Sequence, residues 1–391
     1  MTSGVGASAN YRLTEEQELL RATVRRLAEE RIAPRAAEID RTEEFPWDVK
    51  ALLAEHEILA LAYPSAYGGL GAELLTLCLA IEELSRVCAT SGLILAVQAL
   101  GSLPLQLAGS EEQKARWLPD LAAGRRLVAF AMTEPEAGSD PAAMRTRAHR
   151  EGGGYRLEGT KRFISQGGVA DLYAVFAVTD PAARRGRGIS CFMVDADSAG
   201  LAVARLEHKM GIRGSPTAEL VFDGVPVPAD RRVGAEGEGF RIGLRTLDRS
   251  RPGIAAQAVG IAQGATDVAI RYAAERVQFG RPIGEHQMVA AMLADMATRT
   301  EAARQLLYRA CVEIEVGGAA AVRWAAMCKL FAGDTAMAVT TDAVQVLGGY
   351  GYVADYPVER MMRDAKVTQL YEGTQQIQRL VIARELLARL P

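Results

Sequence analysis

Apolar residues recur at helical spacing through the first third of the chain. Thr14 and Gln17 form a capping-box signature at the start of the first predicted helix. The apolar stripe predicted for that helix is Leu19, Leu20, Val24, Leu27 and Ile32. Residues 91–107 are apolar almost all round, which predicts a buried helix. We therefore predict a disordered tail at residues 1–12 and an N-terminal helical domain over residues 13–127.

The pattern changes after about residue 127. Short runs rich in β-branched and aromatic residues, such as 172–178 and 189–194, are separated by glycine and proline, which predicts an antiparallel β domain over residues 128–239. Helical spacing then returns in segments 240–273, 286–316, 320–346 and 374–389. This order predicts an α+β fold, in which the middle β domain lies between the N-terminal helical domain and a C-terminal four-helix bundle over residues 240–391.

Charge and composition narrow the function classes. The 391 residues carry 45 basic and 48 acidic side chains, a net charge of −3, so binding to nucleic acid or to an anionic membrane is not favoured. Five cysteines and four histidines are scattered without metal-ligand spacing, which predicts neither a disulfide framework nor a metal site. No uninterrupted apolar run reaches membrane-spanning length and the N-terminus shows no targeting pattern. We therefore expect a cytoplasmic protein without a membrane span.

The segment Q-L-Y-E-G-T-Q-Q-I-Q-R at residues 369–379 is the strongest candidate for chemistry. Gly373 lets a ligand approach the backbone, and Thr374 is a helix-start residue that leaves N–H groups for a polar or anionic ligand. Glu372, on the loop just before that helix, is well placed to take a proton from a bound substrate. The alternative is a solvated glutamate at the start of a helix, and the other motifs decide against it.

Four separated motifs follow one another along the chain. They read F-A-M-T-E-P-E-A-G-S-D at 130–140, K-R-F-I-S-Q-G-G at 161–168, E-R-V-Q-F-G at 275–280 with His286 and Gln287, and D-A-V-Q-V-L-G-G at 342–349 followed by Y-E-G-T at 371–374. With them the chain resembles the acyl-CoA dehydrogenase family, in its short- and medium-chain branch, from about residue 12 to 388. Phe163 and Ser165 stand where the family often has Trp and Thr, and both keep the aromatic or hydroxyl character.

The resemblance implies FAD as the cofactor. The residues implied to line the isoalloxazine are Phe130, Met132, Thr133, Gly138, Ser139, Phe163, Ile164 and Ser165. Further implied cofactor contacts, in part to the FAD of a neighbouring subunit, are Arg276, Gln278, Phe279, His286, Gln287, Gln345, Val346, Leu347, Gly348, Gly349, Thr374 and Gln376. Arg276 also suits a pyrophosphate, because a guanidinium matches phosphate oxygens two at a time. Sharing of the cofactor implies a homo-oligomer, usually a homotetramer.

The reaction implied by the resemblance is α,β-dehydrogenation of a fatty acyl-CoA to a trans-2-enoyl-CoA, as in fatty acid β-oxidation. Glu372 is implied to remove the α-proton while the β-hydrogen leaves as hydride to flavin N5. A subset of the family carries its base where this chain has Ser250, which cannot replace a carboxylate. The implied substrate contacts are Ser139, Asp248, Arg251, Tyr371 and Gly373. Electrons are expected to pass to an electron-transferring flavoprotein.

Other functions remain open on the same fold. An acyl-CoA oxidase or a flavin monooxygenase is an alternative, although a monooxygenase has no use for Glu372. A dehydrogenase of a carrier-protein-bound acyl group in a biosynthetic pathway is harder to exclude. A non-catalytic relative that binds flavin and DNA requires a basic face or an added domain, and the net charge of −3 argues against it. The small residues Gly92 and Ala96 in the buried helix indicate a pocket deep enough for medium or longer acyl chains.

Overall fold

The computed structural model describes residues 12–388, so of the predicted tail at residues 1–12 all but Arg12 lies outside the described residues. The N-terminal part holds the helices α1 Glu15–Leu27, α2 Ala36–Thr42, α3 Trp47–Glu55, α4 Leu74–Val87, α5 Ala89–Ala108 and α6 Glu111–Ala122. The middle part holds the strands β1 Val128–Ala131, β2 Arg147–Glu151, β3 Gly154–Ser165, β4 Leu172–Val178, β5 Ile189–Asp195, β6 Leu201–Leu206, β7 Thr217–Pro228 and β8 Arg232–Val233. The C-terminal part holds α7 Gly239–Glu275, β9 Val277–Gln278, β10 Arg281–Pro282, α8 Gln287–Val316, α9 Ala321–Leu347, α10 Gly349–Tyr352, α11 Val358–Val367 and α12 Gln375–Leu387. The predicted α+β fold is confirmed.

The first helix begins at the predicted capping box. Thr14 Oγ1 accepts a hydrogen bond from Gln17 N at 3.2 Å, and Gln17 Oε1 accepts one from Thr14 N at 3.1 Å. One member of the predicted apolar stripe is wrong, because Leu19 is 70 % exposed. Helix α1 buries Gln17 and Val24, which lie two helical turns apart on one narrow face, and Leu19 lies off that face.

The strands form a mixed sheet in the order β6-β7-β3-β2-β4-β5-β8, with β1 beside β4. Most pairs are antiparallel as predicted, including β3 with β7 and β4 with β5. The prediction is wrong for β1, which runs parallel to β4 with Val128 opposite Leu172. Strand β1 enters the sheet from α6 and not through a hairpin, so no tight turn sets its direction. Its end leads directly into the first motif.

Helix α5 is buried along most of its length and packs against α4, α7 and β1. Gly101 permits the contact with β1, since a Cβ there would lie 2.7 Å from Val128 O. By length and composition α5 is apolar enough to cross a membrane, and 72 % of its most apolar window is buried inside the protein. A core helix of a globular protein meets the same criteria.

In the C-terminal part α7, α8 and α9 pack together, with α11 and α12 against α9. Helix α7 crosses α4 so closely that a Cβ at Gly260 would lie 2.2 Å from Glu82 O, a separation that only glycine permits. Helix α11 was not among the predicted helices, although its buried Val358, Met361 and Ala365 follow helical spacing. Charged residues between those positions hide the pattern.

Candidate active site

A cavity of about 540 Å³ is lined by residues from all three parts of the chain. Apolar walls come from α5, α7 and α12, for example Val97, Leu247 and Ile377. The predicted site residues that line it are Phe130, Met132, Thr133, Gly138, Ser139, Phe163, Ile164, Ser165, Asp248, Arg251, Tyr371, Glu372 and Gly373. The structure thus brings the implied isoalloxazine contacts and the implied substrate contacts to one cavity.

A buried ion pair ties the two β-domain motifs together. Lys161 is fully buried, and its Nζ donates to Glu134 Oε1 at 2.7 Å and to Met132 O at 3.1 Å. The Glu134 carboxylate also accepts hydrogen bonds from the backbone N–H groups of Arg145 and Thr146. Because Lys161 and Glu134 each have two or more hydrogen-bond partners, the motif at 130–140 is held against the motif at 161–168.

Phe163 presents an aromatic ring at the edge of this cavity. Its backbone is left-handed, with φ at 58°, and its side chain is 57 % exposed, while the guanidinium of Arg162 lies 5.1 Å above the ring. A bulky residue held in that backbone region is strained, and such strain concentrates where a ligand is bound. The exposed ring suits a planar aromatic partner.

Glu372 has the properties of a proton acceptor. Its backbone is also left-handed, with φ at 52°, and its side chain lines the cavity beside Tyr371 and Gly373. Ser250 Oγ donates a hydrogen bond to Glu372 Oε2 at 2.5 Å. Burial raises the pKa of Glu372 to about 7, although this hydrogen bond and the positive charges of Arg251 and Lys329 act in the opposite direction.

The predicted substrate residues on α7 face the same turn. Arg251 is buried, with Nη1 2.6 Å from Asp248 Oδ1 and Nε 3.5 Å from Glu372 O. Burial raises the pKa of Asp248, and the charge of Arg251 opposes that change. Tyr371 donates a hydrogen bond to Gln257 through its hydroxyl group. These contacts hold Asp248, Arg251 and Tyr371 in place in the lining of the cavity.

Two residues that the sequence analysis does not identify donate hydrogen bonds to the backbone of the turn formed by Glu372 and Gly373. Lys329 on α9 is fully buried, and its Nζ donates to Gly373 O at 2.7 Å. Gln378 on α12 is also buried, and its Nε2 donates to Glu372 O at 3.1 Å and to Gly373 O at 3.0 Å. The available signal for Lys329 was a lone lysine among apolar and small residues in the predicted helix 320–346.

A second cleft, of about 670 Å³, is lined by another group of predicted cofactor residues. The predicted cofactor residues that line it are Arg276, Gln278, Val346, Leu347, Gly348 and Gly349. The Arg276 guanidinium lies 5.4 Å from the centre of the Tyr350 ring. The cleft and the Glu372 cavity share no lining residue, so within residues 12–388 the chain presents its predicted cofactor contacts on two separate surfaces.

The remaining predicted cofactor residues line neither space. Thr374 caps α12, with Oγ1 accepting from Ile377 N at 3.3 Å, and His286 Nε2 lies 3.2 Å from Gln278 O. The side chain of Phe279 is 95 % exposed. The others in this group, all exposed, are Gln287, Gln345 and Gln376. Their predicted cofactor roles stay predictions.

A smaller cavity of about 270 Å³ has Ser250 in its lining, and Ser250 does not line the Glu372 cavity. It is lined by apolar residues of α4 and α5, including Ala96 and Ala99, with Glu315 beside them. Gly92 does not line it, so its part in the predicted deep pocket is wrong. A Cβ at Gly92 would lie 1.9 Å from Ser85 Oγ, so this position faces α4.

Comparison with known proteins gives the family. The acyl-CoA dehydrogenase N-terminal domain matches residues 14–125, the middle domain matches residues 129–225 and the C-terminal domain matches residues 237–387. The chain belongs to the acyl-CoA dehydrogenase family.

Similar proteins of known name cover nearly the whole chain. A probable acyl-CoA dehydrogenase, fadE25, of Mycobacterium leprae is 50 % identical over 98 % of this chain and 100 % of its own length. The structure of butyryl-CoA dehydrogenase from Megasphaera elsdenii has a TM-score of 0.93 at 40 % identity and covers 96 % of this chain and 99 % of its own. The prolyl acyl carrier protein oxidase AnaB has a TM-score of 0.91 at 33 % identity, with coverage of 96 % and 100 %.

The protein is therefore an oxidoreductase that acts on a CH–CH group, and FAD is its cofactor. The residues present fit a flavin. The exposed ring of Phe163 offers a planar surface, and the pair Lys161–Glu134 ties its strand, β3, to the segment that follows β1. The second cleft offers the guanidinium of Arg276 and two glycines, Gly348 and Gly349, which suit a phosphate-bearing ligand.

Proposed function

We propose that this protein dehydrogenates a fatty acyl-CoA thioester to the trans-2-enoyl-CoA, with Glu372 as the base that removes the α-proton. The observation that carries the proposal is the Glu372 carboxylate itself. It lines the cavity that the flavin motifs also line, and burial raises its pKa to about 7. A base with a pKa near the working pH combines a useful ionised fraction with a strong affinity for the proton.

The cofactor, when bound, supplies the acceptor for the β-hydrogen as hydride. The chain supplies the rest of the chemistry. Glu372 takes the proton, and its backbone N–H is proposed as a donor to the thioester oxygen, on which negative charge develops. The apolar side chains of α5, α7 and α12 exclude water from the reacting carbons, which strengthens both interactions. Arg251 and Ser139 are proposed to orient the CoA end of the substrate.

The acyl chain is proposed to run past Glu372 toward the cavity beside Ala96 and Ala99. These alanines are small, so the 270 Å³ behind Ser250 is available to methylene groups once the chain passes that residue. This arrangement favours medium-length chains. Within the same proposal the protein works in fatty acid β-oxidation, in the cytoplasm, as a homotetramer that passes electrons to an electron-transferring flavoprotein.

A carrier-protein-bound acyl group is the second candidate substrate. The observation that favours it is the likeness to AnaB, an oxidase of a prolyl acyl carrier protein, over nearly the whole of both chains. The two candidates present the same thioester to Glu372 and differ only in what lies beyond the pantetheine arm.

The test is a visible spectrum of the purified protein during anaerobic addition of butanoyl-, octanoyl-, palmitoyl- and isobutanoyl-CoA in turn. Bleaching of the flavin band by octanoyl-CoA is expected, with weaker bleaching by the branched ester. Glu372→Gln is expected to bind octanoyl-CoA but to leave the flavin oxidised, with a rate at least about a hundredfold lower. Rapid flavin reduction in that variant would remove Glu372 from its role. A band untouched by every CoA ester but bleached by the carrier-bound octanoyl group would select the second candidate.

A further inference from the structure

We propose that Lys329 is a positioning residue for the reaction: its buried ammonium holds the Glu372–Gly373 turn through a hydrogen bond to Gly373 O and opposes protonation of the Glu372 carboxylate. The inference rests on the proposed role of Glu372. It concerns a residue on α9, outside all four motifs, that does not line the cavity described above.

The contacts of Lys329 lead directly to the turn. Its Nζ donates to Gly373 O at 2.7 Å and to Gln375 Oε1 at 3.1 Å. Both acceptors are uncharged oxygens, so neither hydrogen bond cancels the positive charge of the ammonium. The negative charge of Glu372 attracts the ammonium most strongly, and the charge of Asp334 attracts it less. The electrostatic partner of Lys329 is therefore the proposed base.

The backbone of the turn explains why it needs support. Glu372 and Gly373 are consecutive left-handed residues, with φ at 52° and 95°. For glutamate this conformation costs on the order of 1 kcal/mol or more and persists only where surrounding contacts enforce it. The two carbonyl groups of these residues accept hydrogen bonds from Lys329 and Gln378, which supply that enforcement.

A neutral donor would serve the backbone contact at lower cost. Burial of an ammonium without a directly bonded carboxylate is expensive, and a glutamine or serine could also donate to a carbonyl group. The charge has a use only if another charge must be influenced. Burial lowers the pKa of Lys329 to about 8, which is still above the pKa of about 7 of Glu372, so most of the ammonium is retained at the midpoint of the Glu372 titration.

Several groups face the Glu372 turn from the elements around it. They are Asp248, Ser250 and Arg251 on α7, Lys329 and Asp334 on α9, Tyr371 in the turn itself and Arg384 on α12. Arg251 has the larger of the two positive charges that act on Glu372, and it is paired with Asp248 at 2.6 Å. Lys329 is the second buried cation that acts on Glu372, and it differs from Arg251 in having no acidic hydrogen-bond partner among these groups.

The experiment uses the FAD-loaded protein and 3-thiaoctanoyl-CoA. This thioester can lose its α-proton, but sulfur at position 3 leaves no β-hydrogen to transfer, so the long-wavelength charge-transfer band of its anion against flavin reports deprotonation alone. The pH midpoint of that band is measured for wild type, Lys329→Met, Lys329→Gln, Lys329→Arg and the exposed control Lys366→Met. Lys329→Gln keeps a donor for Gly373 O without the charge.

We expect the midpoints of Lys329→Met and Lys329→Gln to rise by about one pH unit, because an opposite charge near a carboxylate lowers its pKa by about that amount or more. Lys329→Arg keeps the charge and is expected to stay near wild type, as is Lys366→Met, whose charge is screened by solvent. A wild-type midpoint in Lys329→Gln would overturn the inference, even if Lys329→Met does not fold. Glu372→Gln separates the two proposals: a band that still forms in it shows that the base assignment itself has failed.

Discussion

The cavity around Glu372 and the cleft around Gly348 are built in opposite ways. The cavity is framed by buried charges that are already in contact with protein groups, such as Arg251 with Asp248 and Lys161 with Glu134. The cleft lies in a region of high exposure, where Phe279 and Tyr352 show 95 % and 86 % of their side-chain surface. The first is held by contacts within one chain, whereas most of the residues that line the second are exposed.

This difference decides which property a substitution changes. A buried polar group is costly unless its partners are present, so changes at the cavity alter the stability of the chain itself. An exposed aromatic or guanidinium group in the cleft makes few contacts in the isolated chain, so its replacement has little effect on the stability of that chain. Its effect is expected only when a cofactor or a second subunit covers it.

The largest expected effect is at the buried pair behind the flavin motifs. Lys161→Met is expected to destabilise the protein by about 3 kcal/mol or more, because it leaves the Glu134 carboxylate buried without its cation. Urea unfolding at one fixed protein concentration measures the loss. Arg276→Gln in the cleft is the matched control, with an expected change within about 0.5 kcal/mol before cofactor effects. Equal losses in the two variants would contradict the contrast between the regions.

The next effect concerns the stability that the folded protein loses when the buried Glu372 carboxyl group ionises. Its pKa is raised to about 7 by burial, so the folded protein binds this proton more tightly than the unfolded chain does. The associated stability is present below the pKa of about 4.5 of the unfolded chain and is lost as pH rises through about 7. Glu372→Gln is therefore expected to be more stable than wild type by about 3 kcal/mol at pH 8 and nearly equal at pH 4.5.

Unfolding of both proteins at saturating FAD across this pH range measures the difference. A difference that does not change with pH would show that the gain comes from packing and not from ionisation. Gln378→Leu serves as a reference, since it weakens the same turn without removing a titrating group, and its loss should not vary with pH.

A mixing experiment tests whether the cleft completes the cavity of another subunit. Arg276→Gln is expected to weaken FAD binding about tenfold, because a charge-assisted hydrogen bond contributes about 1.5–3 kcal/mol. Co-expression of Arg276→Gln chains with Glu372→Gln chains is expected to add roughly a quarter of wild-type activity to what the unmixed Arg276→Gln pairs retain. Half of randomly formed pairs are mixed, and each mixed pair has one intact site of two. Activity no higher than the average of the two parents would place Arg276 and Glu372 in the site of the same chain.

The sequence predicted those parts of the site that are contiguous in the chain. The motifs at 130–140 and 161–168 and the turn at Glu372 each combine glycine, hydroxyl and charged residues within a few positions, and the structure brings them to one cavity. Lys329 is the one lysine in the predicted helix 320–346, and Ser250 lies between two arginines in the polar segment 248–251 of α7. Their importance depends on which helix face meets the Glu372 turn, and periodicity alone cannot fix that choice.

The errors have the same origin. Gly92 was interpreted as a sign of pocket depth, but its missing side chain faces Ser85 of α4 and not the cavity. Leu19 was assigned to the core, although α1 buries a narrower face. In both cases the residue type was informative about close packing or apolar surface. The direction in which the residue points was set by tertiary contacts that a single sequence does not contain.

The smallest expected effect is at Ser250, where the two cavities meet. Its hydroxyl donates to Glu372 Oε2 at 2.5 Å and thereby lowers the pKa of that carboxylate against the larger effect of burial. Ser250→Ala is expected to raise the pH midpoint of flavin reduction by about one pH unit, since a hydrogen bond to a charged group contributes about 1.5 kcal/mol or more and one pKa unit corresponds to about 1.4 kcal/mol. Activity rises with pH as Glu372 ionises, so the variant should lag below pH 7 and converge with wild type above pH 8.5. Ser250→Thr keeps the donor and is the control. If both variants shift equally, the hydroxyl does not tune Glu372, and the separation of the two cavities at this point is a matter of side-chain volume alone.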